Sequence, residues 1–495
     1  MMMAQEQAIL NGQIELKQLT EYLRQAGERG ERIDIVERHT HESLRRIGLA
    51  MVQGFVAGQG SGDVGETLEY QGRTLRRLEE LHLRRYVCVF GELQISRCVY
   101  GTRETQKLQV IPLDARLGLP EGDYSNLLQQ WDQSFCVRNS YEESRASLEE
   151  ILGLKQSVQA MEHMNGQMAQ SVEAFRQQQA APPAKEEGSI LVFTADGKGV
   201  PMRRRKDEPA PKGRLKPGEK ANKKRVAVVG AVYTVDPFVR TANDIVDEVM
   251  RKKAAGKRPK PRHKRVRAEL TREIGGQEVN GKELVFNSFK EQYRQRNGDG
   301  SKPTVLVMDG ERALWAMRQI CFAGIAIVCI LDLFHMLERL WQAAHCFFPE
   351  NSDQAKAFVT ERLKRVLEGD VGRVIGGLRQ MGTKRQLKGA KLKQLNAAVQ
   401  YLENNRQYMH YDEYIAAGYP IASGVAEGAC RHLVKDRMEL TGMRWHTQSA
   451  QAMLDVRAMY LGDDWAEFNE YRINEENTRL YPYREEVEQR WPVAA

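Results

Sequence analysis

Between Gly12 and Leu83 apolar residues recur at three- and four-residue steps, as in Ile33, Ile35, Val36 and then Leu44, Ile47, Ala50, Met51. That period predicts helices. From Arg84 to Tyr100 the period shortens, and β-branched and aromatic residues flank Phe90-Gly91-Glu92, which predicts two strands joined by a tight turn. Ser140-Tyr-Glu-Glu143 has the spacing of a capping box and predicts a helix to about Leu152, stopped by Gly153. A second helix should start near Ser157, so the pair has the spacing of a helix-turn-helix, although any αα-hairpin shares it. Ala180-Ala-Pro-Pro-Ala184 then reads as a linker.

Beyond the linker the pattern becomes α/β. Strands are expected at Ile190–Thr194, ending at Asp196-Gly197, at Val226–Val235, and at Phe238–Ile245. A helix from Lys282 to Arg294 precedes two more apolar runs, Thr304–Met308 ending at Asp309-Gly310 and Ile325–Leu331 ending at Asp332. A helical stretch follows from Phe334 to about Ala417, then Ser423-Gly-Val-Ala-Glu427-Gly and a last helical region.

Length and charge narrow the class. The 495 residues allow several cores, about three domains at roughly 150 residues each. No apolar run reaches the roughly 20 residues of a membrane span, and Met1–Thr20 is polar, so a soluble, cytoplasmic protein with no membrane partner is expected. Seven scattered cysteines without a Cys-x-x-Cys pair exclude a disulfide framework and a zinc knuckle, and read as buried thiols. The net charge of +8 is modest, but its clustering is not: Arg203–Lys206, Lys223–Arg225 and Arg251–Arg267 concentrate cations mid-chain. Such blocks suit a polyphosphate partner, or else solvated loops.

Asp196, Asp309 and Glu427 stand out because each closes an apolar strand or opens a helix. Strand ends in α/β sheets line the ligand crevice, so acids far apart in sequence can converge there. Carboxylates suit Mg²⁺, with Mn²⁺ as a substitute, and a metal pair about 3.5–4 Å apart activates an attacking hydroxyl and stabilises the leaving oxygen of a phosphodiester. Each acid also has a bland reading: Asp-Gly is a favoured turn, and Glu427 complements a helix N-terminus.

The order of three strands, helix, strand, strand and helix is that of an RNase H-like domain with acids on the first strand, the fourth strand and the last helix. Thr194-Ala-Asp-Gly-Lys-Gly-Val-Pro201, Ala227–Thr234, Met308-Asp-Gly-Glu-Arg312, Leu331-Asp-Leu-Phe-His335, Tyr419–Cys430 and Gly442-Met-Arg-Trp445 span the last 300 residues or so. These blocks resemble the DDE transposases of bacterial insertion sequences, specifically the ISKra type with its Mutator-like relatives. The resemblance implies that Asp196, Asp309 and Glu427 hold the metals and that the chain cuts and joins DNA strands. It implies double-stranded DNA partners, the element ends and the target, and a homodimer or higher oligomer on DNA, nucleoid-associated when bound. Asp332-Leu-Phe-His335 resembles the Asp-x-x-His signature of the Mutator-like relatives. His335 is then a candidate catalytic residue that positions a phosphate, or a helix-start histidine satisfied by Asp332.

Pro112–Pro120 resembles the family's DNA-binding region; some relatives carry a Cys-x-x-Cys just before it, where this chain has Cys98-Val-Tyr-Gly. The expected organisation is a helical region at 1–83, a β-hairpin and helix-turn-helix-like DNA-binding region at 84–178, a linker at 179–188, an RNase H-like core at 189–343 and 418–495, and a helical insertion at 344–417. Candidate DNA contacts are Arg203, Arg204, Arg205 and Lys206, with Arg431, Lys435, Arg437 and Arg444 beyond Glu427; Glu427, Arg431 and Lys435 fall at four-residue steps on one helical face. Trp445 fills core or faces an unpaired base. A nuclease without strand transfer and a non-catalytic DNA-binding derivative remain open; three retained acids speak against the latter.

Overall fold

The computed structural model describes residues 2–102, 109–204, 224–251, 258–462 and 464–491. The chain forms two compact units, Met1–Phe175 with Asp464–Ala495, and Arg176–Asp463. Among the described residues no helix is long and apolar enough to cross a membrane.

The first unit opens with two helices, Met2–Arg29 and Ile33–Gly58. The helical expectation fails beyond them: Thr67–Tyr70 and Arg73–Arg77 form an antiparallel hairpin. Gln71 (φ 51°) and Gly72 (φ 70°) turn it, and two successive positive φ values are what a two-residue hairpin turn requires. The local alternation of Leu68, Tyr70 and Leu75 inward outweighs any helical spacing there. The predicted strand pair is present as His82–Cys88 and Gly91–Arg97. The predicted helix pair is present too. Ser140 caps Tyr141–Leu152 in a reciprocal capping box, Gly153 ends it at φ 61°, and Ser157 caps Val158–Gln170. The last helices, Trp465–Leu480 and Arg484–Arg490, return to this unit, where Tyr481, Tyr483 and Val487 share a core with Leu68, Leu75 and Tyr100.

Asp132 lies fully buried in the Asn126–Cys136 helix, with Gln156 donating to one oxygen at 3.0 Å and the other oxygen unpartnered. Burial pushes its carboxyl up to about 7, against a small opposing effect of Gln156. A folded pKa above the unfolded one means that the native state holds the proton more tightly. Stability is therefore full below about pH 4, declines as pH rises to about 7 and is flat above. Asp132→Asn is expected to gain about 3 kcal/mol at pH 8 and nothing at pH 4, read from urea unfolding at both values; equal stability at pH 8 would remove the charge from the account.

The second unit is a mixed α/β fold built on a five-stranded sheet. Ile190–Pro201 runs at its centre, Lys224–Val235 pairs antiparallel to it, and Arg262–Leu270 continues outward antiparallel. On the other side Thr304–Met308 and then Val328–Leu331 run parallel to the first strand. Three expectations are corrected. The first strand does not end at Asp196 but continues to Pro201, because its partner strand stays in register to Lys224. Phe238–Ile245 is not a strand: Thr241 and Asp244 form a capping box that starts the helix Ala242–Val249. The third strand is instead the end of the basic stretch, whose Arg262 pairs with Asp236 at 2.7 Å and whose Arg267 reaches Glu269 at 2.5 Å.

Both sheet faces are covered, so the strands read as continuous apolar runs. Alternate residues divide between two cores. Leu191, Phe193, Ala195, Leu306 and Met308 pack with Phe286, Phe289 and Trp315, whereas Ile190, Val192, Val305, Val307 and Ile330 pack with Met336, Leu340 and the helices beyond. Those helices, Leu333–Phe347, Asp353–Leu367, Val371–Lys384, Gly389–Asn404 and Tyr411–Ala416, fulfil the predicted helical stretch.

Candidate active site

Register brings three aspartates side by side. Ala195, Met308 and Leu331 are neighbours across the three parallel strands, and the next residues are Asp196, Asp309 and Asp332. Odd-even alternation puts Asp196 and Asp309 on the face covered by the Leu333–Phe347 helix, which carries His335 in its first turn. Asp309 is held by the Glu311 amide at 3.0 Å, and the next amide, Gly310, donates to the Tyr401 hydroxyl at 3.2 Å. Any side chain at Gly310 would collide with Tyr401 and Asn405. The Gly197 amide donates to Asp196 at 2.6 Å, and the Cys430 thiol donates to its other oxygen at 3.3 Å.

Asp332 differs from its two neighbours. It is fully buried, and one oxygen accepts from the Phe334 amide (2.8 Å), the His335 amide (3.0 Å) and His335 Nδ1 (3.1 Å). The other oxygen accepts from the Ser423 amide. Three of these donors share one oxygen and a single backbone amide reaches the other. Asp332 therefore caps a helix, orients an imidazole and ties down the segment leading to Glu427; the Leu333 amide bonds the Ile421 carbonyl at 3.0 Å beside it.

Glu427 arrives on the short helix Gly424–Ala429. One ligand atom each from Asp332, His335 and Glu427 lie within 4.8 Å of one another, a spacing that fits a metal ion. Within this group Asp332 and His335 are bonded to each other, and the half-buried Asp196 and Asp309 stand beside Asp332 at the ends of the neighbouring strands.

Electrostatics mark the same cluster. Asp309 is raised above the usual carboxylate range by burial, and further by the charge of Asp196. Glu427 is raised because its carboxyl end is desolvated, although the residue as a whole stands exposed, and because Asp332 and Asp196 repel its charge. Burial, then Asp196, pushes the Cys430 thiol up. His335 is pushed up to about 9 by its hydrogen bond to Asp332 and by the charges of Asp332, Asp309 and Asp196, against desolvation. An imidazolium among crowded carboxylates partly offsets their repulsion.

The expected cationic face needs one correction, at Arg437. After Ala429 the helix widens into a π-helical turn, Cys430–Lys435. Buried Arg457 donates to the His432 and Leu433 carbonyls, at 2.8 and 3.1 Å, in that turn. Arg437 is fully buried, with its guanidinium 5.0 Å from the Trp445 ring, and offers no surface to a phosphate. Trp445 is core, its indole N–H bonded to the Met438 carbonyl at 3.1 Å. Arg431, Lys435 and Arg444 are exposed. Arg203, just past the first strand, lies beside the Arg444 segment: its amide bonds the Trp445 carbonyl at 2.7 Å and its side chain lies 3.3 Å from His446. Arg204 follows, and Arg205 and Lys206 lie outside the described residues.

Sequence reasoning passed over Asp332, Cys430 and Tyr401 as site residues. Asp332 had a signal, since it closes an apolar run as Asp309 does. Cys430 and Tyr401 had none, because their roles depend on tertiary placement.

No family model matches this sequence, and no curated protein matches it. Among solved structures, the Drosophila P element transposase strand transfer complex is similar to it at a TM-score of 0.25 and 8% identity, covering 73% of this chain and 82% of that chain. A likeness that slight carries no weight for fold or function.

Proposed function

We propose that the second unit is an RNase H-like catalytic core that cleaves and joins DNA strands with divalent metals, as the transposase of an insertion sequence. The observation that carries this reading is the row of Asp196, Asp309 and Asp332 at one level of three adjacent strands, with Glu427 brought to it by the Asp332–Ser423 bond. The sheet order, with three antiparallel strands flanked by two parallel ones, supports the RNase H-like part.

The donor set fits Mg²⁺ or Mn²⁺. Asp196, Asp309 and Glu427 offer hard carboxylate oxygens on a site whose like charges repel, and a divalent cation relieves that repulsion. When bound, such ions activate an attacking hydroxyl and stabilise the leaving oxygen. The chain's own residues do the rest. Gly197, Glu311 and the Cys430 thiol fix the acid rotamers, and Asp332 holds His335 as a cation facing the acids. In that place His335 pairs with a phosphate oxygen of a strand entering the cleft, while Arg203, Arg431, Lys435 and Arg444 supply phosphate contacts along the rim.

The test is to incubate the protein with DNA carrying the sequences that flank its gene, with Mg²⁺ or Mn²⁺. Nicks at the element ends followed by joined products are expected. Nicking without joining would reduce the activity to a nuclease, and no metal-dependent cleavage of any DNA would sink the reading.

A further inference from the structure

Tyr401 joins the acid cluster to a cavity beyond it. Its hydroxyl accepts from the Gly310 amide at 3.2 Å, and Gly310, Tyr401 and Asn405 all line a cavity of about 510 Å³. The cavity lies between the Arg312–Cys321 helix and the end of the Gly389–Asn404 helix, and its size is that of a small-ligand site. Asp309 is the residue next to its wall.

The lining narrows what fits. Among the described residues it holds five amides, Gln319, Gln400, Asn404, Asn405 and Gln407, three aromatic rings, Trp315, Tyr401 and Tyr408, and one charged side chain, Arg312. Without a carboxylate it is no metal site, and a single cation is too few for a run of phosphates. Amides beside aromatic rings suit a flat, neutral group with hydrogen-bonding edges, which is the character of a nucleobase. Two donors beside the cavity also lack acceptors. Trp315 is 6% exposed and its indole N–H is unpartnered, with Tyr408 stacked on the ring at 3.9 Å. Arg318, one turn further along the helix, has an unpartnered Nε and lines a second cavity of about 330 Å³, which shares Gln319, Gln407 and Tyr408 with the first. Buried donors without acceptors are costly, and a bound acceptor removes the cost.

We propose that this cavity receives one unpaired adenine of the DNA strand, at a nucleotide adjoining the phosphate that is cut; the proposal rests on the catalytic reading above. An amide side chain pairs in two places with adenine, accepting from N6 and donating to N7. Gln400 donates to Asn404 at 2.8 Å and Asn405 to the Tyr401 carbonyl at 2.9 Å, which leaves Gln319 and Gln407 as the amides not engaged among the described residues. These two read the base, and Arg318 stands beside them for the adjoining phosphate.

A paired base must first leave its stack, so the test uses single strands. Short oligothymidylates with adenine, guanine, cytosine or thymine at the centre compete for the full chain without metal. The adenine strand is expected to bind on the order of tenfold more tightly than the all-thymine strand, within the span of one bidentate contact. Gln319→Ala/Gln407→Ala should lose that preference and keep its affinity for the all-thymine strand. Gln319→Met/Gln407→Met, which keeps side-chain length without hydrogen bonding, should behave alike if the first variant misfolds. A central 8-azidoadenine should crosslink on irradiation to residues 310–319 or 397–408. Equal affinity for the four bases, an adenine preference that survives both substitutions, or crosslinks elsewhere would overturn the proposal. Base preference without metal-dependent nicking would sink the catalytic reading and leave the base site standing, and nicking without base preference would do the opposite.

Discussion

Asp196→Asn, Asp309→Asn and Glu427→Gln are each expected to lower metal-dependent strand cleavage by at least ~1000-fold, a barrier increase of ~4 kcal/mol. DNA binding should stay within a few-fold, because the phosphate contacts proposed above are assigned to other side chains. The amides preserve shape, so each variant should fold. Asp309→Asn should be more stable than wild type without metal, because burial and the Asp196 charge both penalise its ionised form. Mg²⁺ should raise the melting temperature of the wild type by mass action and leave the variants unmoved. Near-normal cleavage by any one variant would remove that residue from the catalytic set, and an undiminished Mg²⁺ shift would remove it from the metal site.

The largest stability loss is expected from Glu269→Ala. Glu269 is fully buried at the edge of the sheet, bonded by Arg267 and Arg272 at 2.5 Å each and 3.9 Å from Arg176, which also pairs with Asp455 at 3.0 Å. Burial opposes its charge, but Arg267, Arg272 and Arg176 outweigh burial and hold the carboxyl below its usual range. Removing it leaves three guanidinium groups around an empty centre, a loss of about 3–5 kcal/mol by analogy with broken buried pairs. The melting temperature should fall by roughly 10 °C, and differential scanning calorimetry would measure it. A drop of only a degree or two would mean that solvent reaches the arginines and replaces the lost partner.

Sequence made the second unit's strand positions legible where apolar runs are bounded by acids, as at Thr304–Met308 with Asp309. Phe238–Ile245 misled because its apolar residues lie on both sides of a capping box, and Thr241 with Asp244 fixes a helix start more strongly than local β-propensity fixes a strand. The stretch from Arg251 to Arg267 read as a polyphosphate-binding block, but Arg262 and Arg267 are engaged with acids, and one of those acids, Glu269, is a near neighbour. Charge runs show composition and not direction. Arg437 failed for the same reason: nothing in its local sequence says that Trp445 will cover it. Asp196 and Asp309 stand at strand ends that register places side by side, and Glu427 stands in the first turn of a helix, whereas the close grouping of Asp332, His335 and Glu427 and the π turn after Ala429 have no sequence signal.

The bond between Asp332 and Ser423 has a consequence for the newborn chain. Ninety-five residues separate Asp332 from Glu427, and at 5–20 residues per second the ribosome needs roughly 5–20 s to cover that distance. During that interval the sheet and its aspartates have been made while the last carboxylate has not, and Asp332 has no Ser423 amide to accept. Translation order thus leaves the acid cluster incomplete until Glu427 has been made, and a product ending before residue 420 lacks both Ser423 and Glu427, together with the last helices that complete the core of the first unit.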